Sequence, residues 1–294
     1  MESKKSDKKK PLVGFIGQGF VGRAYADDFE RRGFKTVRYA LEEPYRGNKE
    51  KIKNCDIVFV AVPTPTTEKG FDDHTIRGAV KLVGKGKVAI IKSTILPGTT
   101  VSIQKENPDV YVFHSPEFLS EATASYDAQH PNRNIVGIPK RSKEYEAKAR
   151  SVLAVLPKAP FELVTGAEEA ELIKYGGNCW FYFKVIFINI LFDLAKAKGI
   201  DWLTVRDAMA ADPRIGATHL DPVHKSGRGA GGHCFIKDFA AFSDLYQKTM
   251  DDALGWKVLE SLRDKNIDLL LKSHKDFDLL AGVYGEEFLR KHQK

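Results

Sequence analysis

Cysteine is scarce in this chain: there are three, Cys55, Cys179 and Cys234, in 294 residues, an odd number at irregular spacing. That excludes a disulfide framework and paired metal-ligand spacing, so the thiols are expected reduced and no metal site is expected. Long apolar runs are lacking too; none approaches the roughly 20 residues that span a bilayer, and Met1-Glu-Ser-Lys-Lys-Ser-Asp-Lys-Lys-Lys10 holds no apolar core of a secretory signal. A cytoplasmic protein without a membrane partner is the expectation. Charge of one sign is only mildly in excess. The formal charge is +7, but the first ten residues set five lysines against Glu2 and Asp7, or +3, leaving +4 for the other 284. With no basic stripe interleaved with aromatics, nucleic acid is not an expected partner, and a small anionic molecule suits the balance better. No internal repeat or low-complexity stretch occurs beyond residues 1–10, which read as a disordered, solubilising tail.

What is present begins with an apolar run, Leu12-Val-Gly-Phe-Ile16, that leads into Gly17-Gln18-Gly19-Phe20-Val21-Gly22 and then a helical pattern through Phe29. Strand, glycine turn and helix in that order satisfy the context of a dinucleotide-binding fingerprint. The first glycine makes the turn, the second admits a pyrophosphate, the third lets helix and strand pack, and the helix N-terminus supplies N–H donors. NAD is the expected cofactor. Further strands are expected at Thr36–Tyr39, Asp56–Val62, Val88–Lys92, Val110–Phe113 and Asn134–Ile138, and their alternation with helical segments predicts a parallel sheet. Ligands bind outside the carboxyl ends of such strands, so Pro63, Thr64 and Thr66, Ser93 and Thr94, and His114-Ser-Pro-Glu117 are candidate site walls. The acid that usually bonds the adenosine ribose is missing: Ala40 stands in its place, with Glu42 in reach, or Arg38 and Arg46 offered to a 2′-phosphate.

From Glu168 the pattern becomes one helical stretch to about Lys198, apolar in Trp180-Phe-Tyr-Phe183 and Val185-Ile-Phe-Ile188. It reads as a linker to a second, helical domain and a dimer interface, or else as the core helix of a monomer. The expected fold class is therefore α/β: a Rossmann-type doubly wound parallel sheet over 11–166, then a long linker helix and a mostly helical domain over 167–294. Within the helix Lys174 and Asn178 stand four apart and so share a face, together able to hold an oxygen, or merely a solvated lysine beside a polar neighbour. In Gly229-Ala-Gly231-Gly-His-Cys234-Phe-Ile-Lys237-Asp238 a thiol follows a glycine turn and precedes a Lys-Asp pair. A neighbouring cation lowers a thiol pKa from about 8.5 toward neutrality, which presents a nucleophile; the alternative is a buried cysteine in a loop.

These motifs, with Lys92-Ser-Thr94, Pro97-Gly-Thr-Thr100, Ser115-Pro-Glu-Phe-Leu-Ser-Glu121 and Asp212-Pro-Arg-Ile-Gly216, resemble the UDP-glucose/GDP-mannose dehydrogenase family over residues 12–238. The resemblance implies four-electron oxidation of a sugar C6 hydroxyl to a carboxylate with two NAD in succession, and a nucleotide-sugar substrate. Cys234 would form a thiohemiacetal and then a thioester. Lys174 and Asn178 would hold the oxyanion, Lys174 also shuttling a proton with Asp238, and Thr94 and Asp238 would position water. Glu117 would be the base in thioester hydrolysis. The cofactor contacts would be Gly17 to Gly22, Pro63, Thr64, Thr66, Ser93, Thr94, Glu121 and Lys237. Substrate would meet Glu117, Phe118, Leu119, Lys174, Asn178, Lys225, Gly229 and Gly231, with Arg214 offered across the interface of a homodimer.

The departures from the family pattern concern specificity and size. Ser115, Ala122, Ala230 and His233 replace the more usual Asn, Gly, aromatic and Ser. Gly-Gly-His-Cys resembles relatives that oxidise UDP-N-acetylhexosamines, whereas Lys237 and Asp-Pro-Arg-Ile-Gly resemble the UDP-glucose group. Family members usually continue into a third α/β domain that helps bind the nucleotide, while this sequence ends at Lys294. Completion by a dimer partner is the expectation, ahead of a separate chain or a more weakly held substrate.

Overall fold

Apolar four-residue runs alternating with helical stretches dictate a sheet covered on both faces, because parallel strands carry helices above and below and keep no face for water. The computed structural model, which describes residues 10–292, shows such a sheet. In chain order the strands are β1 (Val13–Ile16), β2 (Thr36–Tyr39), β3 (Ile57–Val60), β4 (Thr66–Thr67), β5 (Gly70–Phe71), β6 (Val88–Ile91), β7 (Tyr111–His114), β8 (Arg133–Ile138), β9 (Phe161–Gly166), β10 (Val223–His224) and β11 (Gly227–Arg228). The helices are α1 (Phe20–Arg31), α2 (His74–Val80), α3 (Thr99–Glu106), α4 (Ala124–Gln129), α5 (Lys143–Leu153), α6 (Ala167–Lys198), α7 (Trp202–Ala210), α8 (Gly232–Thr249), α9 (Ala253–Lys272), α10 (Phe277–Tyr284) and α11 (Glu286–His292). The tail expected to be disordered lies, but for Lys10, outside the described residues.

Seven strands form one sheet in the order β2-β1-β3-β6-β7-β8-β9. β1, β3 and β6 are buried along their whole length, and Phe15, Phe29, Phe59 and Phe113 anchor the core above them. Because the chain lays β2 on one side of β1 and β3 on the other, a crevice opens at the carboxyl ends of β1 and β3, the usual place for a dinucleotide. The sheet is mixed where a parallel one was expected: β8 runs antiparallel to β7, pairing His114 with Gly137. Apolar patterning reports burial and not direction, and an antiparallel neighbour needs no crossover. β9, which begins with two exposed residues, gives no apolar run to find.

The chain divides into two compact units: one runs up to Thr64 and resumes over Asp73–Lys174, and the other comprises Pro65–Asp72 and everything from Tyr175 on. The second unit thus includes the β4–β5 hairpin and receives α6 only from its third turn, a partition different from the expected break at 166–167. Its helices close around small apolar clusters, one built on Ile236, Ile267, Leu270 and Leu280, another on Tyr182 stacked against Phe239 at 3.9 Å. By length and composition α6 would suffice to cross a membrane. Uninterrupted apolar runs miss this because Lys184 and Asn189 break the stretch; both are buried, and the Lys184 ammonium donates to the carbonyls of Ile215 and Gly216 at 2.9 Å each.

Candidate active site

The glycine turn is built by close approach. Gly17 has φ +89°, and a Cβ there would lie 2.1 Å from the Ala61 carbonyl oxygen; one on Gly22 would lie 2.0 Å from the Gly17 carbonyl oxygen. Gly19, the N-cap of α1, has no atom within 4 Å of where its Cβ would be. Backbone of this kind lets a pyrophosphate reach the free N–H groups of a helix N-terminus. Beside it Gln18 donates to the Gly17 carbonyl at 3.0 Å, while its buried Oε1 has no partner among the described residues. Phe20 is exposed and Val21 half-buried. These features fit NAD. At the adenosine end Ala40 is buried, and Arg38 is held by Asp27 and Glu30 at 2.6 Å each, a commitment that leaves it a poor partner for a 2′-phosphate. Pro63, Thr64, Ser93 and Thr94 form one interlocked rim: the Val62 N–H donates to Ser93 Oγ at 3.0 Å, and Thr64 Oγ1 donates to the Thr94 carbonyl at 2.8 Å. Thr66 does not join them; it is a buried residue of β4, in the second unit.

The first unit holds a buried carboxylate and two buried ammonium groups. Glu117 accepts from the Leu119 N–H at 2.7 Å with Oε2 and from Lys174 Nζ at 2.8 Å with Oε1, and the Lys174 ammonium also donates to the Glu117 carbonyl at 2.8 Å. Phe118 lies 5.8 Å from that ammonium, with Arg133 stacked 3.7 Å over its ring. Nearby, at the end of β6, Lys92 donates to Ser115 Oγ at 3.0 Å and sits 4.5 Å from the Tyr25 ring. Burial pushes its pKa down to about 7, with the Glu117 charge opposing and the Lys174 charge adding to the fall. His114 is held neutral, its pKa pushed down to about 3 by burial and then by Lys92 and Lys174. Glu171, one turn before Lys174 on α6, accepts from the N–H groups of Gly98 and Thr100 at 2.7 and 2.8 Å, clasping the N-terminus of α3. Burial outweighs those bonds and raises its pKa to about 7. Sequence reasoning took His114 only as part of a candidate site wall and Lys92 only as part of a motif, and gave Glu171 no role. Their chemistry comes from burial, and the available hint was a Lys and a Glu falling on otherwise apolar faces.

In the second unit α8 carries the thiol. Cys234 is the exposed cysteine, whereas Cys55 is buried and Cys179 partly so. Burial drives the Cys55 thiol up to about 11, and burial with the Asp238 charge raises the Cys179 thiol. Cys234 is the third residue of α8, in the first turn, where the positive dipole end of the helix favours a thiolate. One turn on, and so on the same face, Asp238 is fully buried; it accepts from Asn178 Nδ2 at 2.6 Å and from the Lys237 ammonium. Thus Asn178, Lys237 and Asp238 are brought together beneath Cys234, and Glu117, Phe118, Leu119 and Lys174 around one ion pair. Gly229 and Gly231 lie in the loop that leads to α8. Glu121 is exposed in a 3-10 turn, Arg214 is exposed and paired with Asp212 at 2.6 Å, and Lys225 is exposed at φ +55° in the turn between β10 and β11. None of these three touches the groups above through any hydrogen bond or ion pair described.

Residues 45–155 match the UDP-glucose/GDP-mannose dehydrogenase family, NAD binding domain, and residues 168–267 match its central domain. The UDP-glucose 6-dehydrogenase of Rickettsia prowazekii is 31% identical over 257 residues, which cover 84% of this chain and 56% of that protein. The chain spans about half the length of the curated relatives it matches. Among solved structures, a UDP-glucose dehydrogenase from Pyrobaculum islandicum superposes with a TM-score of 0.75 at 24% identity, covering 92% of this chain and 72% of that one. A 3-hydroxyisobutyrate dehydrogenase from Mycobacterium tuberculosis superposes with a TM-score of 0.69 at 16% identity, covering 94% and 98%.

Proposed function

The chain belongs to the UDP-glucose/GDP-mannose dehydrogenase family, and from that membership we propose that it oxidises the C6 hydroxyl of a nucleotide sugar to the uronate, with UDP-glucose as the leading substrate. The observation that carries the proposal is the exposed Cys234 thiol in the first turn of α8, one turn above a buried Asp238 that Asn178 and Lys237 hold in place. NAD supplies the hydride acceptor for each of two oxidations, and Gly17 to Gly22 with Pro63, Thr64, Ser93 and Thr94 would hold it.

Family membership, and no geometry between the two units, is the ground for assigning both groups of residues to one reaction. Removal of the first hydride and the hydroxyl proton gives an aldehyde. The Cys234 thiolate adds to it, forming the C–S bond of a thiohemiacetal, and loss of the second hydride leaves a thioester. Lys174 and Asn178 present N–H donors to the oxygen that bears charge in these steps. Water then adds to the thioester and the thiolate departs, leaving the carboxylate; Glu117, fixed by the Leu119 N–H and Lys174, takes the water proton, with Thr94 and Asp238 positioning that water. Covalent capture keeps the aldehyde from escaping. Phe118, Leu119, Lys225, Gly229 and Gly231 are assigned to the sugar nucleotide, Glu121 and Lys237 to the nicotinamide side.

A homodimer belongs to the same proposal. Trp180, Phe183, Phe187, Ile190 and Leu194 are each 40–58% exposed. Their spacing of three and four residues makes one stripe along α6, the pattern by which helices pair. Arg214 would then be offered to the partner's substrate.

The test is NADH yield. Purified protein with NAD and, separately, UDP-glucose, UDP-N-acetylglucosamine, UDP-N-acetylmannosamine and GDP-mannose should give two NADH per UDP-glucose consumed. Turnover of an N-acetylhexosamine instead would favour the reading suggested by the exposed His233 before the thiol. No NADH from any of them would leave a nucleotide-binding partner of a longer enzyme as the better account, in keeping with the half-length match.

A further inference from the structure

The loop that leads to Cys234 makes little secondary structure of its own, so its backbone polar groups must be met from elsewhere. Six of them are met by four side chains: Asn266 Oδ1 accepts from the Ala230 N–H at 2.7 Å and its Nδ2 donates to the Ala230 carbonyl at 3.0 Å, Ser273 Oγ accepts from the Arg228 N–H at 3.0 Å, Lys275 Nζ donates to the Gly227 and Gly229 carbonyls at 3.3 and 3.1 Å, and Asp276 Oδ2 accepts from the Gly232 N–H at 2.7 Å. Packing is equally close. A Cβ on Gly227 would lie 2.5 Å from Ser273 Cβ, and one on Gly231 would lie 2.0 Å from Asp276 Oδ2 and 2.8 Å from Lys275 Cε. Lys275 is buried, its charge answered by carbonyl oxygens. The turn that aims these groups is left-handed at His274 (φ 52°) and Asp276 (φ 55°), a conformation uncommon in non-glycine residues.

We propose that the Ser273–Asp276 turn is a brace for the thiol loop, with Lys275 and Asp276 acting as positioning residues for Cys234. The meaning of the brace rests on the reading of Cys234 as the nucleophile. Gly232 is the first residue of α8, so the Asp276 bond fixes the turn in which Cys234 stands two residues later. Without that bond the first turn frays, and the thiol leaves the helix end that favours its ionised form. The three brace residues, Ser273, Lys275 and Asp276, lie beyond residue 267, where the match to the central domain ends.

Two variants separate bracing from charge, because both remove the Asp276 carboxylate while only one keeps an acceptor for the Gly232 N–H. In Asp276→Ala the Gly232 amide should exchange hydrogen about ten-fold faster than in the parent protein, the effect of one lost hydrogen bond. Alkylation of Cys234 by iodoacetamide should slow several-fold in that variant, with Cys55 and Cys179 of the same molecule as internal references. Asp276→Asn should restore both readings to within about two-fold. Equal exchange at Gly232 and equal Cys234 reactivity in the two variants would overturn the brace. Should Asp276→Ala raise exchange throughout its helices, Ser273→Ala replaces it, read at the Arg228 amide, and unchanged exchange there overturns the proposal. Neither reading needs turnover. If the parent protein makes no NADH from any sugar nucleotide, the enzymatic reading fails while exchange and alkylation still decide the brace.

Discussion

Lys92 and Glu171 titrate in opposite senses, and their substitution separates two pH windows. The Lys92 pKa falls from an unfolded value near 10.5 to about 7, so the favourable neutral form contributes fully above pH 10.5 and its contribution is lost as pH drops toward 7. Lys92→Met should therefore raise Tm relative to the parent near pH 7, by roughly 3 °C for each kcal/mol of relieved desolvation, and the gap should close as pH approaches 10. Thermal melts at matched ionic strength decide it; a gap independent of pH would mean the Lys92 charge is not the cause. Glu171 is raised from 4.5 to about 7, so its contribution is intact below pH 4.5 and is lost as pH rises through 7. In Glu171→Gln the fall in parent stability between pH 4.5 and 7 should become shallower by the same measurement. Cys234→Ser should remove NADH formation beyond the first equivalent while leaving NAD affinity unchanged, read by calorimetry; full two-equivalent turnover would eliminate the covalent route. The candidate nucleophile and its neighbours were legible because glycine, thiol, lysine and carboxylate stand close together in sequence. Lys92 and Glu171 were not, since only the folded core supplies the desolvation that shifts them.

At the scale of elements, α6 was legible almost to the residue: a helical stretch expected from Glu168 to about Lys198 is found over Ala167–Lys198. Its long, largely apolar run without a proline needs no tertiary contact to declare it. The β4–β5 hairpin was invisible, because two-residue strands are too short to show any period, and with it went the true setting of Thr66. The direction of β8 was equally hidden. The exposed stripe on α6 makes an element-level prediction. Phe187→Asp, which puts a charge in the middle of the stripe, should leave helical content unchanged and halve the mass measured by light scattering. A parent protein already monomeric at micromolar concentration would refute the pairing of this face.

For the molecule as a whole, the division into a sheet-bearing and a helical part was legible in broad outline, from apolar runs giving way to a single long helix, but the path of the chain between the parts was not. That path passes from one unit to the other three times, after Thr64, after Asp72 and after Lys174. One consequence is covalent redundancy. A protease that cuts the connection at any single passage leaves the two units joined through the other two, so a nicked molecule should elute as one species and fall into two bands only after denaturation. The same routing means that no single truncation yields either unit alone, and a split at Lys174 would strand residues 65–72 on the wrong piece. Excising the sheet-bearing unit as an independent NAD-binding protein would require a graft that rejoins Thr64 to Asp73.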